Sequence, residues 1–292
     1  MGINELRVGL IGHSHAVCLL DALGKWRDHV GLDTAAQDRR YGEAFRGWFE
    51  VDTGGNAFTL QGGGTSFPAP TEVVICLLTG KTLPDLVTAP EVGDVDKAQV
   101  TPLFARFVQQ LENIDLLVSA LHGYEAAIVS LIDNHPPYDF VPLDDARPLA
   151  PRPRQPIDRI HIARWVDKFA QPAIRTVIAL QKALPSTRIV HVLPPPPLKD
   201  PAKVKRGEVL EDQIARYGFV RPSLRLKWSL AYCVRVKTAL TAQGIQVLQA
   251  PCAALTAGGF LREDLSEGLT HGNARYGAMI WEALDGLVGS TR

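Results

Sequence analysis

Short apolar runs alternate with stretches of helical spacing along this chain. Apolar runs of five to eight residues that end at glycine, proline or polar residues are typical of buried strands, and apolar residues three and four positions apart indicate helices. The pattern predicts strands at about 6–11, 71–78, 114–120, 187–193 and 245–249. It predicts helices at about 14–26, 101–111, 157–184, 222–242 and 273–288, with an interruption at Pro172. Strands alternating with helices predict a doubly wound, mostly parallel α/β sheet.

Three segments do not follow this alternation, and we interpret them as loop insertions in one domain over residues 1–292. The first, about 38–70, is irregular and rich in glycine and aromatic residues. The second, about 134–158, contains a proline-rich run that predicts a linker or surface loop. The third, about 198–221, carries a basic stretch that is typical of an exposed lid or loop.

Composition narrows the classes of partner. The chain has 292 residues, 46% of them hydrophobic, and 31 basic residues balance 31 acidic ones, so nothing in the overall charge favours nucleic acid or an anionic membrane. No apolar run has the length of a membrane span, and the charged start leads directly into a strand without a signal-peptide pattern. Four scattered cysteines in apolar contexts predict reduced core thiols, and hence a cytoplasmic protein.

The first predicted strand ends in Gly12-His13-Ser14-His15, where a glycine turn presents a serine between two histidines. In a parallel sheet the binding crevice lies at the carboxyl ends of the strands. A serine that begins a helix there has free backbone N–H groups beside it, which stabilise a developing oxyanion. The alternative is that Ser14 only caps the helix, as serines commonly do.

A second motif precedes the last predicted helix, where His271 stands in Thr270-His271-Gly272-Asn273. Asn273 is interpreted as the N-cap of that helix. An imidazole brought to a serine hydroxyl can act as its general base. The two motifs together predict that folding joins Ser14 to His271.

This pair of motifs resembles the SGNH (GDSL-like) hydrolase superfamily. The serine turn stands where that family has its Gly-Asp-Ser block, and the stretch before Asn273 stands where it has Asp-x-x-His. The residues after the 114–120 strand, His122-Gly123-Tyr124, stand where it has an oxyanion-hole asparagine. The resemblance implies a flavodoxin-like fold and a serine esterase or acyltransferase with Ser14 as nucleophile and His271 as base.

The chain departs from the family pattern at the acid of the triad, where it has Gly268. Glu267 or Asp264 are candidate replacement acids, and the alternative is a Ser14–His271 dyad oriented by a backbone carbonyl. The family's asparagine is replaced by Tyr124, and its aspartate before the serine by a histidine. The proposed oxyanion and substrate pocket contains Gly63, Gly123, Tyr124, His13, His15 and His122.

The implied substrate is an acyl ester of a carbohydrate or small alcohol, with no cofactor. A catalytically degenerate binding or regulatory protein is the main alternative. A metal site built from His13, His15, His122 and His271 is a lesser alternative, because their spacing matches no recognised ligand set. A nucleotide site at Gly9-Leu10-Ile11-Gly12 lacks the full glycine fingerprint.

Overall fold

The computed structural model describes residues 6–28, 58–64, 67–78, 83–88, 98–122, 131–133, 137–141, 155–200, 211–268 and 270–289. This part of the chain contains twelve strands, seven α-helices and two short 3₁₀ helices. The strands are β1 (Leu6–Gly12), β2 (Phe58–Gly64), β3 (Phe67–Leu77), β4 (Val87–Thr88), β5 (Gln99–Val100), β6 (Leu116–Ala120), β7 (Tyr138–Asp139), β8 (Gln155–Pro156), β9 (Arg188–Val192), β10 (Gln246–Leu248), β11 (Ser266–Glu267) and β12 (His271–Gly272). The helices are α1 (Ser14–Asp28), α2 (Leu83–Leu86), α3 (Pro102–Gln110), α4 (Arg159–Ala183), α5 (Glu211–Tyr217), α6 (Pro222–Ala242) and α7 (Ala274–Gly289).

The central sheet has the strand order β10-β9-β6-β1-β3-β2. Its β2 strand is antiparallel to β3, and all its other neighbouring strands are parallel. Among the five parallel strands the order is therefore 2-1-3-4-5 in chain order, which is the flavodoxin-like arrangement. This confirms the predicted doubly wound, mostly parallel α/β fold.

Helices cover both faces of this sheet. Buried side chains of α3, α4 and α6 pack on one face, among them Phe104, Ile174 and Val236. Helices α1 and α7 pack on the other face, where Leu19 and Ile280 are buried. The first and last helices of the described chain are therefore neighbours, and this brings the two sequence motifs to one side of the sheet.

Two predictions about regular structure were wrong. Helix α4 passes through Pro172 without interruption: the proline lacks an N–H to bond within the helix, but buried Ala170, Ala173 and Ile174 hold both sides against the core. The segment 38–70 was predicted to be irregular, yet it contains all of β2 and the start of β3. The triple glycine at the end of β2 obscures the strand pattern in the sequence.

The proline-rich second insertion is more than a surface loop. In its described part, β7 and β8 pair with each other, and the buried side chain of Asp139 accepts a hydrogen bond from Lys227 Nζ at 2.9 Å and pairs with Arg221. Since a buried carboxylate needs such partners, this cluster attaches the segment to α6.

The four cysteines have different environments. Cys18 and Cys76 are buried as predicted, whereas Cys252 is exposed, because it begins a short 3₁₀ turn after β10 rather than packing in the core.

Across the described ranges, no helix is both long enough and apolar enough to span a membrane.

Candidate active site

The turn that presents Ser14 requires glycine at position 12. Gly12 ends β1 beside Ala120 of β6, and a Cβ on it would lie 2.8 Å from the Ala120 carbonyl oxygen and 2.8 Å from the Cβ of Ala16. Only glycine lets the chain turn so closely past the neighbouring strand. Ser14 follows as the exposed first residue of α1, where N–H groups have no partner within the helix.

A small hairpin positions His271. In the antiparallel pair of β11 and β12, Glu267 lies opposite His271. Asn273 then caps α7, because its Oδ1 accepts from the backbone N–H groups of Arg275 at 3.0 Å and Tyr276 at 3.2 Å. Its predicted role as N-cap is thereby confirmed. Its Nδ2 also donates to the Asp264 carbonyl at 3.0 Å, so the cap ties the hairpin to the helix.

Close packing of α1 against α7 joins the two motifs. Gly277 of α7 lies so near α1 that a Cβ on it would be 2.0 Å from the Cys18 carbonyl oxygen. Four residues later, Trp281 donates its indole N–H to the Leu19 carbonyl at 2.9 Å. Each element carries one motif at its N-terminal end, so this contact sets the separation of Ser14 and His271.

The structure brings the serine and the imidazole together. The Nε2 atom of His271 lies 2.9 Å from the Oγ atom of Ser14, and its Nδ1 atom lies 3.1 Å from the Oγ1 atom of Thr270. These are hydrogen-bonding distances. In this geometry the imidazole can take a proton from the serine hydroxyl.

The two candidate acids lie in different surroundings. Asp264 pairs with Arg262 at 2.9 Å and with Arg275 at 3.1 Å, so its carboxylate is directed to those guanidinium groups rather than to the imidazole. Asp264 is therefore wrong as an orienting acid. Glu267 acts on His271 through its charge, and within the described residues no carboxylate lies within hydrogen-bonding distance of Nδ1.

Two opposing effects set the pKa of His271. Burial lowers it below its ordinary value, and the negative charge of Glu267 acts in the opposite direction. Gly268, between Glu267 and the residues that lead to His271, has a φ of 69°, a left-handed conformation that a side chain there would strain. This local backbone therefore suits glycine.

Three further histidines extend inward from His271, and together we call these four residues the histidine cluster. The ring of His15 lies 4.6 Å from that of His271, His122 lies 5.1 Å from His15, and His191 lies 5.0 Å from His122. Burial lowers the pKa of both His15 and His191 to about 3, and it lowers that of His122 well below its ordinary value. The three inner imidazoles are therefore neutral at physiological pH.

The predicted pocket residues are only partly brought together. His13 and His15 flank Ser14, and His122 follows β6 on the same rim. Gly123 and Tyr124 lie outside the described residues.

The prediction for Gly63 was wrong. Its neighbour Gly62 is level with Thr71, which is level with Leu6 at the start of β1. Six residues of strand, about 20 Å at about 3.3 Å per residue, separate that level from Gly12. The antiparallel direction of β2 therefore places Gly63 near the N-terminal end of β1, whereas Ser14 follows the carboxyl end of β1.

Among the described residues, which include His13, His15, His122 and His271, no group of three or more His, Cys, Asp or Glu side chains is arranged to hold a metal ion.

Two residues near the site were not found from the sequence. Thr270 contacts the imidazole, and buried His191 lies 3.2 Å from the Ser119 hydroxyl through its Nδ1 atom. His191 interrupts the apolar run of β9, and a polar residue inside a buried strand is a signal that could have indicated it. Nothing in the sequence distinguished Thr270, because its contact with the imidazole depends on the rotamer of His271.

Comparisons with known proteins concern the fold. No family model and no curated protein matches the chain. A GDSL-like lipase from Bacteroides thetaiotaomicron is 10% identical, over 97% of this chain and 86% of that one, with a TM-score of 0.43. The aryl esterase of M. smegmatis is 13% identical, over 98% and 99%, with a TM-score of 0.40.

The periplasmic domain of a lipopolysaccharide acetyltransferase from Salmonella ser. Paratyphi A also matches, at 12% identity over 99% of this chain and 85% of that one, with a TM-score of 0.42. Since one fold supports many activities, the chemistry of this chain has to be derived from its own site.

Proposed function

We propose that the protein is an SGNH-like serine hydrolase, an esterase or acyltransferase, which acts on an acyl ester of a carbohydrate or small alcohol through Ser14 and His271. The observation that supports this most is the 2.9 Å separation of the Ser14 Oγ and His271 Nε2 atoms. A serine hydroxyl is a weak nucleophile and becomes effective when a base lies within hydrogen-bonding reach. The proposal includes a small-molecule partner and a cytoplasmic location.

The reaction proceeds in two acyl transfers. As Ser14 Oγ attacks the ester carbonyl, His271 Nε2 takes its proton, and the resulting oxyanion faces the N–H groups at the start of α1. The tetrahedral intermediate collapses, the C–O bond to the alcohol breaks, and His271 returns the proton to the leaving oxygen. A water molecule or a second alcohol then attacks the acyl group on Ser14 while His271 takes its proton; the acyl–Ser14 bond breaks, and His271 returns the proton to Ser14 Oγ.

Neutral histidines lie on the inner side of the Ser14–His271 pair. A neutral imidazole has one donor and one acceptor nitrogen, so His15 can bind a hydroxyl group of the substrate without adding charge. His122 packs against His15 with both ring nitrogens buried, and supports that ring from the inner side. In the proposal these two residues, with His13, form the substrate and oxyanion pocket beside Ser14.

Labelling by a fluorophosphonate, together with turnover of short-chain nitrophenyl esters, tests the proposal. We expect stoichiometric labelling of the wild-type protein and loss of both signals in Ser14→Ala, because the nucleophile is removed. Ser223→Ala is the matched control: Ser223 is an exposed serine in the first turn of α6, and α6 packs on the opposite face of the sheet from α1 and α7. Labelling that persists in Ser14→Ala would contradict the assignment of the nucleophile.

The pH dependence of kcat/KM is a second prediction. The base must be neutral to act, and burial lowers the pKa of His271, so we expect the acidic limb of the profile below pH 6.5. The charge of Glu267 raises that pKa, so Glu267→Gln should move the limb to still lower pH. A profile of kcat/KM measured from about pH 4 to about pH 9 checks both expectations.

Asp264→Asn provides the comparison for this profile. Its carboxylate faces Arg262 and Arg275, so the position of the acidic limb should not change. A limb above pH 6.5, or a shift to higher pH in Glu267→Gln, would contradict the assignment of His271 as the titrating base.

A binding or regulatory protein that has lost catalysis is the second candidate. It is favoured by one observation: in the described part of the chain, the Nδ1 atom of His271 meets a hydroxyl group rather than a carboxylate. Loss of the acid lowers the rate by about four orders of magnitude in serine proteases. Intact, folded protein that neither labels nor turns over esters would support this candidate and reject the hydrolase.

A further inference from the structure

The contact of Thr270 with His271 suggests how the site works without the usual acid. We propose that Thr270 is a positioning residue, whose hydroxyl oxygen accepts the Nδ1–H of His271 and so keeps Nε2 directed at Ser14. This inference rests on the proposed function of Ser14 and His271. In a Ser-His-Asp triad the equivalent task belongs to the carboxylate.

The hydrogen-bond roles at the two ring nitrogens are complementary. When Nε2 accepts the proton of Ser14, the neutral ring carries its own proton on Nδ1. That N–H lies 3.1 Å from Thr270 Oγ1, which has lone pairs to accept it. Once His271 has taken the serine proton, both nitrogens are donors, and the same hydroxyl oxygen remains the acceptor for Nδ1–H.

Of the groups around the His271 ring, Thr270 is the one that can fix which ring nitrogen faces Ser14. Pairing of β11 with β12 fixes the backbone of His271, and the His15 ring, tilted by 32°, packs 4.6 Å from its imidazole. Neither contact selects which nitrogen faces Ser14. Glu267 acts on the ring only through its charge, and Asp264 is held by arginines.

A hydroxyl group differs from a carboxylate in one respect that matters here. It accepts the Nδ1–H bond but contributes no full negative charge to stabilise the imidazolium. The lowered pKa of His271 agrees with this arrangement. Thr270 therefore supplies orientation, while the charge comes from the more distant Glu267.

Two substitutions of Thr270 separate its hydroxyl from its volume. Thr270→Val keeps the shape and removes the hydrogen bond, and we expect kcat for nitrophenyl acetate to fall by about tenfold to hundredfold with little change in KM. Thr270→Ser keeps the hydroxyl and should remain within about threefold of wild type. Equal losses in both variants, or an unchanged kcat in Thr270→Val, would overturn the proposal.

NMR of ¹⁵N-histidine-labelled protein provides a readout that does not depend on activity. We expect the His271 ring to carry its proton on Nδ1 in wild type and in Thr270→Ser, and to become a mixture of tautomers in Thr270→Val. An unchanged ring in Thr270→Val, or a mixture in Glu267→Gln but not in Thr270→Val, would assign orientation to another group. Wild-type protein without ester turnover would reject the proposed function, and the ring spectra would still decide the role of Thr270.

Discussion

Replacing His271 by asparagine is expected to lower kcat/KM for nitrophenyl acetate by about four orders of magnitude. The Nε2 atom of His271 is the group at 2.9 Å from Ser14 Oγ, and asparagine cannot take the serine proton at neutral pH. The remaining N–H groups at the start of α1 would stabilise an oxyanion but would not activate the nucleophile. Initial rates with purified protein measure this loss.

His161→Asn is the matched control for that substitution. His161 is an exposed histidine in the first turn of α4, and its Nδ1 atom contacts Asp158 at 2.6 Å. Exposed pairs of this kind contribute about 0–1 kcal/mol to stability, so this variant should fold and keep its ester turnover. If His271→Asn kept more than about a tenth of the wild-type rate, His271 would not be the base.

Replacing Gly277 by alanine is expected to destabilise the protein by about 3 kcal/mol and to reduce ester turnover with it. The added Cβ would lie 2.0 Å from the Cys18 carbonyl oxygen, so α1 and α7 must move apart. Because each helix carries one half of the site near its start, that movement separates Ser14 from His271. Urea unfolding at equilibrium, followed by circular dichroism, measures the change.

Gly286→Ala tests the same chemical change in the same helix. Gly286 is exposed on α7, and an added Cβ would meet nothing within 4 Å. Alanine is the better helix former by about 1 kcal/mol, so this variant should be as stable as wild type or slightly more stable. Equal destabilisation of the two variants would show that the close approach of α1 to α7 does not hold the site together.

The fold could be predicted from local signals in the sequence, and the pair at the centre of the site from two short motifs and their resemblance to a known family. Apolar runs followed by helical spacing predict a doubly wound sheet, and in such a sheet the residues that follow parallel strands share one rim. Glycine at positions 12 and 277 allows the two motifs to approach closely. That no larger residue would fit at these positions is visible only in the structure.

The remaining parts of the site depend on partners that are distant in sequence or on side-chain conformations. Asp264 lies near His271 along the chain, but Arg275 and Arg262 hold its carboxylate. Gly63 lies in a glycine run that could supply oxyanion N–H groups, yet the antiparallel pairing of β2 places it at the N-terminal end of β1, away from Ser14. Thr270 became visible only once the ring of His271 was placed.

The most direct measurement is mass spectrometry of the protein quenched in acid within its first turnovers of nitrophenyl acetate. If Ser14 is the nucleophile and His271 its base, one acetyl group appears on the peptide that contains Ser14, and it forms far more slowly in His271→Asn. Ester turnover with no acetyl group on that peptide, or acetylation at an unchanged rate in His271→Asn, would contradict the account.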